Sequence, residues 1–148
     1  MQNESIFVLL ADDDEDDRIF FIDAFEELKM KTVVKTVSDG VELMNYLLSA
    51  DARMPHVLFL DINMPRKGGL ECLREIRGND EIRDLSIAMY STSSSEKDIE
   101  ETFVQGANVY INKPSDFAEL KRVLSEVLSI NWQYHTSGLN RDNFLLRL

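Results

Sequence analysis

Val57-Leu58-Phe59-Leu60-Asp61-Ile62-Asn63-Met64-Pro65 is the stretch that decides the fold, because in it four apolar residues end abruptly at a carboxylate. A short apolar run bounded by turn residues is typical of a β-strand that is buried on both faces, as in a parallel sheet. Asp61 then lies at the C-terminal end of that strand. Since ligands of open α/β sheets bind at this edge, we predict that Asp61 belongs to a functional site.

Four other stretches also have the composition of strands, and amphipathic segments separate them. The predicted strands are Ile6–Ala11, Thr32–Val37, Val57–Leu60, Ser86–Tyr90 and Val109–Asn112. A helix follows each strand, and the first is predicted to bury Ile19, Ile22, Phe25 and Leu28. The alternation predicts an α/β protein, with a doubly wound five-stranded parallel sheet and five helices in three α/β/α layers.

Composition and charge exclude several classes of protein. The 148 residues carry a net charge of −11, which argues against nonspecific binding to nucleic acid or anionic membranes. No apolar run is long enough for a membrane helix, and the N-terminus lacks the basic region of a signal peptide. The single cysteine, Cys72, permits no internal disulfide. We therefore expect a cytoplasmic protein with no membrane partner.

Polar side chains follow four of the five predicted strands and should meet at one edge of the sheet. They are Asp12 and Asp13, Asp61, Ser91 and Thr92, and Lys113. Three neighbouring carboxylates cannot all stay ionised without a cation, and oxygen ligands favour Mg²⁺. Lys113 and Ser91 would add a positive charge and a hydroxyl beside the metal. These groups suit a phosphoryl group, with Asp61 as its covalent acceptor.

Several short motifs occur here in an order and spacing that resemble the receiver domain of two-component response regulators. They are Ala11-Asp12-Asp13-Asp14, Leu60-Asp61-Ile62-Asn63-Met64-Pro65 with Gly69, Tyr90-Ser91, and Tyr110-Ile111-Asn112-Lys113-Pro114. The resemblance covers roughly residues 5 to 129. It implies a flavodoxin-like fold with strand order 2-1-3-4-5.

The resemblance also implies roles for the acidic residues. Asp61 matches the residue that takes a phosphoryl group from the phosphohistidine of a sensor histidine kinase or a histidine phosphotransfer protein. Asp12, Asp13 and Asp61 match ligands of Mg²⁺, for which Mn²⁺ can substitute. The main-chain carbonyl of Asn63 matches a further ligand of the metal.

Further roles follow from the same resemblance. Ser91 matches the switch hydroxyl that moves to the phosphoryl group, and Lys113 matches the cation that contacts it. Tyr110 matches the aromatic residue whose rotamer reports phosphorylation. Thr92 occupies a catalytic-site position where the family usually has a smaller residue, so we expect it to slow phosphotransfer or to change the phosphoryl lifetime.

Three positions carry finer expectations. Asn63 and Ser93 occupy variable positions that tune dephosphorylation in this family by controlling access of water. The bond between Lys113 and Pro114 is expected to be cis, as it usually is in receivers.

Other interpretations stay open at this point. An enzyme, a Mg²⁺-dependent phosphohydrolase with an aspartyl-phosphate intermediate, would usually carry a second aspartate where this sequence has Asn63. A phosphorylation-independent pseudo-receiver would not need the full acidic pair, hydroxyl and lysine. Asp14 to Asp17 are interpreted as a solvated helix start. A calcium loop that begins at Asp12 is disfavoured, since Asp17 stands where that loop needs glycine.

The sequence thus predicts a stand-alone receiver, which is a signalling switch and not a turnover enzyme. Its receiver domain spans 5–129, and an extension over 130–148 packs on the domain or mediates a protein contact. The output is expected to be a contact with a downstream protein, made by the fourth helix, fifth strand and fifth helix. A homodimer is a further expectation, and direct nucleic-acid binding is not expected.

Overall fold

Strands and helices alternate along the chain in a computed structural model, which describes residues 5–129 and the backbone of Leu145–Leu146. The strands are β1 Ile6–Ala11, β2 Thr32–Val37, β3 Val57–Leu60, β4 Ile87–Ser91, β5 Val109–Asn112 and β6 Leu145–Leu146. The helices are α1 Glu15–Glu27, α2 Gly40–Leu47, α3 Gly69–Arg77, α4 Glu96–Val104 and α5 Phe117–Ser129. All strand pairs are parallel, in the order β2-β1-β3-β4-β5-β6. The predicted class and the order 2-1-3-4-5 are confirmed.

The three strands with the longest apolar runs occupy the middle of the sheet. Every residue of β3 and β4 is buried, and so is β1 beyond Ile6. The strand β2 lies at an edge, and its residues alternate between half-buried and exposed before Val37. Helices cover both faces of a central parallel strand, which explains why its sequence shows no polar alternation.

Two apolar cores lie on opposite faces of the sheet. One core contains side chains of α1 and α5, and the other contains side chains of α2, α3 and α4. Aromatic rings dominate the first core, where Phe21 packs edge-on against Phe59 and Tyr90 with ring centroids 5.0 and 5.5 Å apart. Among the described helices, none combines the length and the apolar character needed to span a bilayer.

The buried face of α1 differs from the predicted one. Ile19 is 51% exposed, whereas Phe21, Ala24 and Phe25 are buried. Residues 19–22 are all apolar, so helical spacing alone leaves the phase of this helix ambiguous. The large ring of Phe21 decides it, because it fills the space above Phe59 and Tyr90. The prediction for Ile19 was therefore wrong.

Side-chain caps begin the helices close to where they were predicted. The carboxylates of Asp39 and Asp116 accept hydrogen bonds from the main-chain N–H groups of α2 and α5, and the Ser95 hydroxyl does the same for α4. Asp14 caps α1 in this way, three residues after β1 ends. Such caps satisfy N–H groups that the helix itself leaves unpaired.

Two features near the C-terminus were not predicted. The bond before Pro114 is trans, as are all peptide bonds of the described residues, so the expected cis bond was wrong. The trans form of a bond before proline is more stable than the cis form by about 0.5–1 kcal/mol. A sixth strand, β6, pairs with Tyr110 and Ile111 of β5. The rest of the 130–148 extension, including Trp132, lies outside the described residues.

Gly69 lets the loop after β3 close against the strand that carries Asp61. Its N–H donates a 2.8 Å hydrogen bond to the Ile62 carbonyl. A β-carbon at this position would collide with the main-chain carbonyl of Asp61 and with the α-carbon of Ile62. Because backbone atoms form the obstacle, they cannot move aside as a flexible side chain would. Any side chain here should displace the loop or the phosphoacceptor strand.

Gly69→Ala should therefore lower the free energy of unfolding by about 1–3 kcal/mol, as overpacking does in a well-packed interior. Urea unfolding followed by circular dichroism measures the change. Gly78→Ala is the matched control, since a β-carbon there meets the Arg74 carbonyl oxygen at 3.3 Å and the Glu75 carbonyl oxygen at 3.9 Å, and the backbone φ of −87° suits alanine. Equal stability of the two variants would contradict the role given to Gly69.

Candidate functional site

The ends of β1, β3 and β5 and the first turn of α1 bring one lysine into contact with three carboxylates. Lys113 Nζ lies 2.8 Å from Asp12 Oδ2, 2.9 Å from Asp17 Oδ2 and 3.0 Å from Asp61 Oδ2. The Lys113 side chain is only 8% exposed, and Asp12 is fully buried. Residues that are up to 101 positions apart in the chain thus share one cluster of charges, which we call the acidic rim: Asp12, Asp13, Asp17, Asp61 and Lys113.

Local structure fixes the position of Lys113. Its main-chain N–H donates a 2.8 Å hydrogen bond to the Ser91 carbonyl, which extends the pairing of β4 and β5 by one residue. Its ammonium lies 5.4 Å from the ring centroid of Tyr90, a cation–π distance. Burial alone would lower the pKa of Lys113, but the contacts with Asp12, Asp17 and Asp61 outweigh it and raise that pKa. The lysine is therefore a permanent positive charge.

Asp61 is buried and bonded at both oxygens. Oδ2 accepts a hydrogen bond from Lys113, and Oδ1 accepts a long one of 3.4 Å from the N–H of Asn63. Burial raises the pKa of Asp61 from 3.8 to about 6, although Lys113 works in the opposite direction. The nearby Asp12 charge raises it further. A second positive charge would favour the ionised carboxylate.

The acidic rim has the donor set of a divalent-cation site. Asp12, Asp13 and Asp61 each offer a carboxylate oxygen, and these atoms lie within 4.8 Å of one another. Asp12 Oδ1 accepts a hydrogen bond from the Asp14 N–H, but the buried Oδ2 has no aligned hydrogen bond and makes only the ion pair with Lys113. Such an oxygen has a lone pair left for a cation. The residues fit Mg²⁺ or another hard divalent ion.

A network of hydroxyl groups follows β4. Ser91 is fully buried, and its Oγ accepts a 3.1 Å hydrogen bond from the Ser93 N–H. The Ser93 hydroxyl donates to Asp98 of α4 at 2.6 Å, and the Ser93 carbonyl accepts from the Tyr110 hydroxyl at 2.8 Å. The Tyr110 side chain is buried, which raises its pKa, while Thr92 is exposed. Ser93 therefore links Ser91, Tyr110 and α4.

Asp17 is the rim residue that sequence reasoning missed. It was interpreted as part of a solvated helix start, but it contacts Lys113. A signal for it exists in the sequence, since Asp17 stands four residues before Phe21 and seven before Ala24, on the buried stripe of α1. A carboxylate on the core-facing stripe of a helix needs a charged partner. The first turn of α1 places this carboxylate at the sheet edge beside Lys113.

The structural class is defined by a doubly wound sheet whose acidic rim fits a divalent cation, and comparison with known proteins gives the family. The sequence model of one protein family, the response regulator receiver domain, matches residues 8–125. The chain therefore belongs to the response regulator receiver family of two-component signalling.

Related proteins agree with this assignment. The chain is 26% identical to a probable methanogenesis regulatory protein, FilR2, of Methanothrix harundinacea, over 84% of this chain and 82% of the relative. It is 25% identical to response regulator Rcp1 of Synechocystis, over 84% and 86% of the two chains. It is 29% identical to chemotaxis protein CheY1 of Helicobacter pylori, over 84% and 98%.

Solved structures show the same fold. The phosphorylated cyanobacterial phytochrome response regulator RcpA superposes with a TM-score of 0.79 and 28% identity, over 90% of this chain and 97% of the other. The Mn²⁺-bound form of Rcp1 superposes with a TM-score of 0.75 and 23% identity, over 84% and 92%. Proteins of this family act as signalling switches.

The raised pKa of Asp61 predicts a pH-dependent cost to the folding free energy of the metal-free protein. Because the folded protein holds the Asp61 proton up to about pH 6 and the unfolded chain only to 3.8, stability falls as the pH rises between these values. Asp61→Asn removes this cost. The variant should exceed the wild type by about 1–3 kcal/mol above pH 6, with the excess shrinking towards pH 4.

Urea unfolding in a chelating buffer, at pH values on both sides of the Asp61 pKa, measures this difference. Asp51→Asn, an exposed aspartate in a turn, is the control and should show no such trend. An excess for Asp61→Asn that stays the same across the pH range would contradict the raised pKa.

Proposed function

We propose that this protein accepts a phosphoryl group on Asp61 from a phosphohistidine, in a reaction that depends on Mg²⁺, and that the modified protein switches its contacts with other proteins. The observation that carries the proposal is the position of Asp61, which contacts the Lys113 ammonium and lies within 4.8 Å of carboxylate oxygens of Asp12 and Asp13. A buried carboxylate that contacts an ammonium and shares a candidate site for a divalent cation is suited to receive an anion that would otherwise be repelled.

The transfer needs little from the protein beyond charge and position. A carboxylate oxygen of Asp61 bonds to phosphorus as the N–P bond to the donor imidazole breaks. The bonding electron pair goes to the imidazole nitrogen, which then takes a proton from water. Lys113 neutralises charge on the phosphoryl oxygens.

A bound Mg²⁺ would supply further positive charge at this place. Asp12, Asp13 and Asp61 would hold it, with the main-chain carbonyl of Asn63 as a further ligand, and Mn²⁺ suits the same oxygen donors.

The hydroxyl network supports a route from Asp61 to the protein surface. If the Ser91 hydroxyl turns to the phosphoryl group, it gives up the hydrogen bond from the Ser93 N–H. Ser93 in turn holds the hydroxyl of Tyr110 and a carboxylate of α4. The phosphoryl group thus favours one of two arrangements of this loop, and the face formed by α4, β5 and α5 changes with it.

We propose that neighbouring side chains set the lifetime of the phosphorylated state. Thr92 and Asn63 are exposed, one residue after Ser91 and two residues after Asp61, where they would meet incoming water or a partner. Ser93 acts through its place in the loop. Slow loss of the phosphoryl group is the only turnover expected, so the protein is a switch and not an enzyme.

The proposed partners are a sensor histidine kinase or a histidine phosphotransfer protein, and a downstream protein target. RcpA, a relative with 28% identity, has been solved in its phosphorylated form, which supports phosphorylation here. Other relatives are named for chemotaxis and for methanogenesis regulation, so what they share is the switch and not the signal. A net charge of −11 supports a protein output in place of direct nucleic-acid binding. The cytoplasm is the proposed location.

We also assign residues 5–129 to the receiver domain, with the 130–148 extension either packing on it or mediating a protein contact. The pairing of β6 with β5 supports packing on the domain. Pairing between two copies of the chain in a homodimer is the alternative.

Labelling with acetyl phosphate tests the proposal. In the presence of Mg²⁺ the wild type should take up about one phosphoryl group per chain, since one carboxylate is placed to accept it. Asp61→Asn and removal of divalent ions with EDTA should each abolish uptake. Asp51→Asn, the same substitution at an exposed turn, should label like the wild type.

Undiminished labelling of Asp61→Asn would refute the assignment of the acceptor. Sustained phosphate release from small phosphoesters would favour a phosphohydrolase. Such an enzyme would use a second carboxylate as acid and base at the position where this protein has Asn63.

A further inference from the structure

Three carboxylates already surround the ammonium of Lys113, with hydrogen bonds to Asp17 and Asp61 and an ion pair with Asp12. A lysine carries three N–H donors, and the Nζ atom of Lys113 has three carboxylate oxygens within 3.0 Å, those of Asp12, Asp17 and Asp61. The Lys113 side chain is only 8% exposed to water. A phosphoryl oxygen can therefore gain a full contact with this ammonium only if a carboxylate gives up its own.

The three carboxylates differ in how easily they can leave. Asp12 is fully buried and belongs to the cation-binding set, and its other oxygen is fixed by the Asp14 N–H. Asp61 is the residue that carries the phosphoryl group. Asp17 has a side chain that is 37% exposed, and its contact within the rim is the ion pair with Lys113. Of the three side chains, only that of Asp17 can rotate into the solvent at a small free-energy cost.

The helix does not oppose this movement. The main-chain N–H of Asp17 donates to the capping carboxylate of Asp14, so the first turn of α1 is held through the backbone. Only the Asp17 side chain has to rotate. A negative charge within 2.9 Å of Lys113 Nζ would also repel a phosphoryl dianion that binds the same nitrogen.

We infer that Asp17 is a positioning residue that occupies Lys113 in the unphosphorylated protein and competes with the phosphoryl group for it. This inference rests on the proposed function of Asp61. Release of the Asp17–Lys113 ion pair accompanies phosphorylation, and the pair sets how tightly the site holds a phosphoryl group. Removal of the Asp17 charge therefore strengthens phosphoryl binding, which is the opposite of what the loss of a merely structural contact does.

Beryllofluoride, a phosphoryl mimic, tests the inference through ¹⁹F NMR titration of the full chain in the presence of Mg²⁺. Asp17→Asn should bind the mimic roughly threefold more tightly than the wild type, the size expected for a partly exposed ion pair. Asp17→Ser, a second variant without the charge, should do the same. Asp17→Glu keeps a carboxylate within reach of Lys113 and should bind like the wild type.

The neighbouring exposed acid supplies the control for charge alone. Asp16→Asn makes the same change in the same helical turn and should leave the affinity unchanged. Unchanged or weaker binding by Asp17→Asn would overturn the inference, as would an equal gain in Asp16→Asn. If the wild type itself fails to bind beryllofluoride with Mg²⁺, the proposed function fails and not only the role of Asp17.

Discussion

The site depends on one constraint, which is that buried carboxylates need a positive partner. Asp12 and Asp61 are almost completely removed from water, and Lys113 is the cation that both contact. An unpaired buried charge costs several kcal/mol, so the lysine and the two aspartates must arrive together. They come from the ends of three different strands, β1, β3 and β5. The sheet order brings these ends to one edge, and the ion pairs in turn hold the edge together.

Small structural details keep this edge in place. The Gly69 backbone packs directly on the main chain of Asp61, and the Lys113 N–H is fixed by the Ser91 carbonyl. On the other side, the Asp14 cap starts α1 immediately after the paired aspartates. The position of the acidic rim is therefore set by backbone contacts, while its charge balance is set by side chains.

Much of the fold could be predicted because buried parallel strands appear in the sequence as apolar runs. The bounds of β1, β2, β3 and β5 match the prediction, and the charged residues that follow β1, β3 and β5 meet at the sheet edge where ligands of such folds bind. The phase of α1 could not be obtained in this way, since residues 19–22 are all apolar and only the ring of Phe21 decides between them. The two-residue strand β6 is too short to have a period.

Only part of the candidate site could be predicted from the sequence. Asp12, Asp13, Asp61 and Lys113 follow strands, and strand ends are easy to locate. Asp17 lies on a helix within six consecutive acids, where a residue that faces the core looks like its solvated neighbours. Only the three-dimensional phase of α1 shows that its carboxylate shares the lysine.

The central claim is that Asp61 carries the phosphoryl group, and chemical mapping tests it most directly. Borohydride reduces an aspartyl phosphate to homoserine, which peptide mass spectrometry locates in the sequence. After reaction with acetyl phosphate and Mg²⁺, homoserine should be found at position 61 and at none of the other rim aspartates. Homoserine at Asp12, Asp13 or Asp17, or none in protein that has taken up phosphate, would contradict the account.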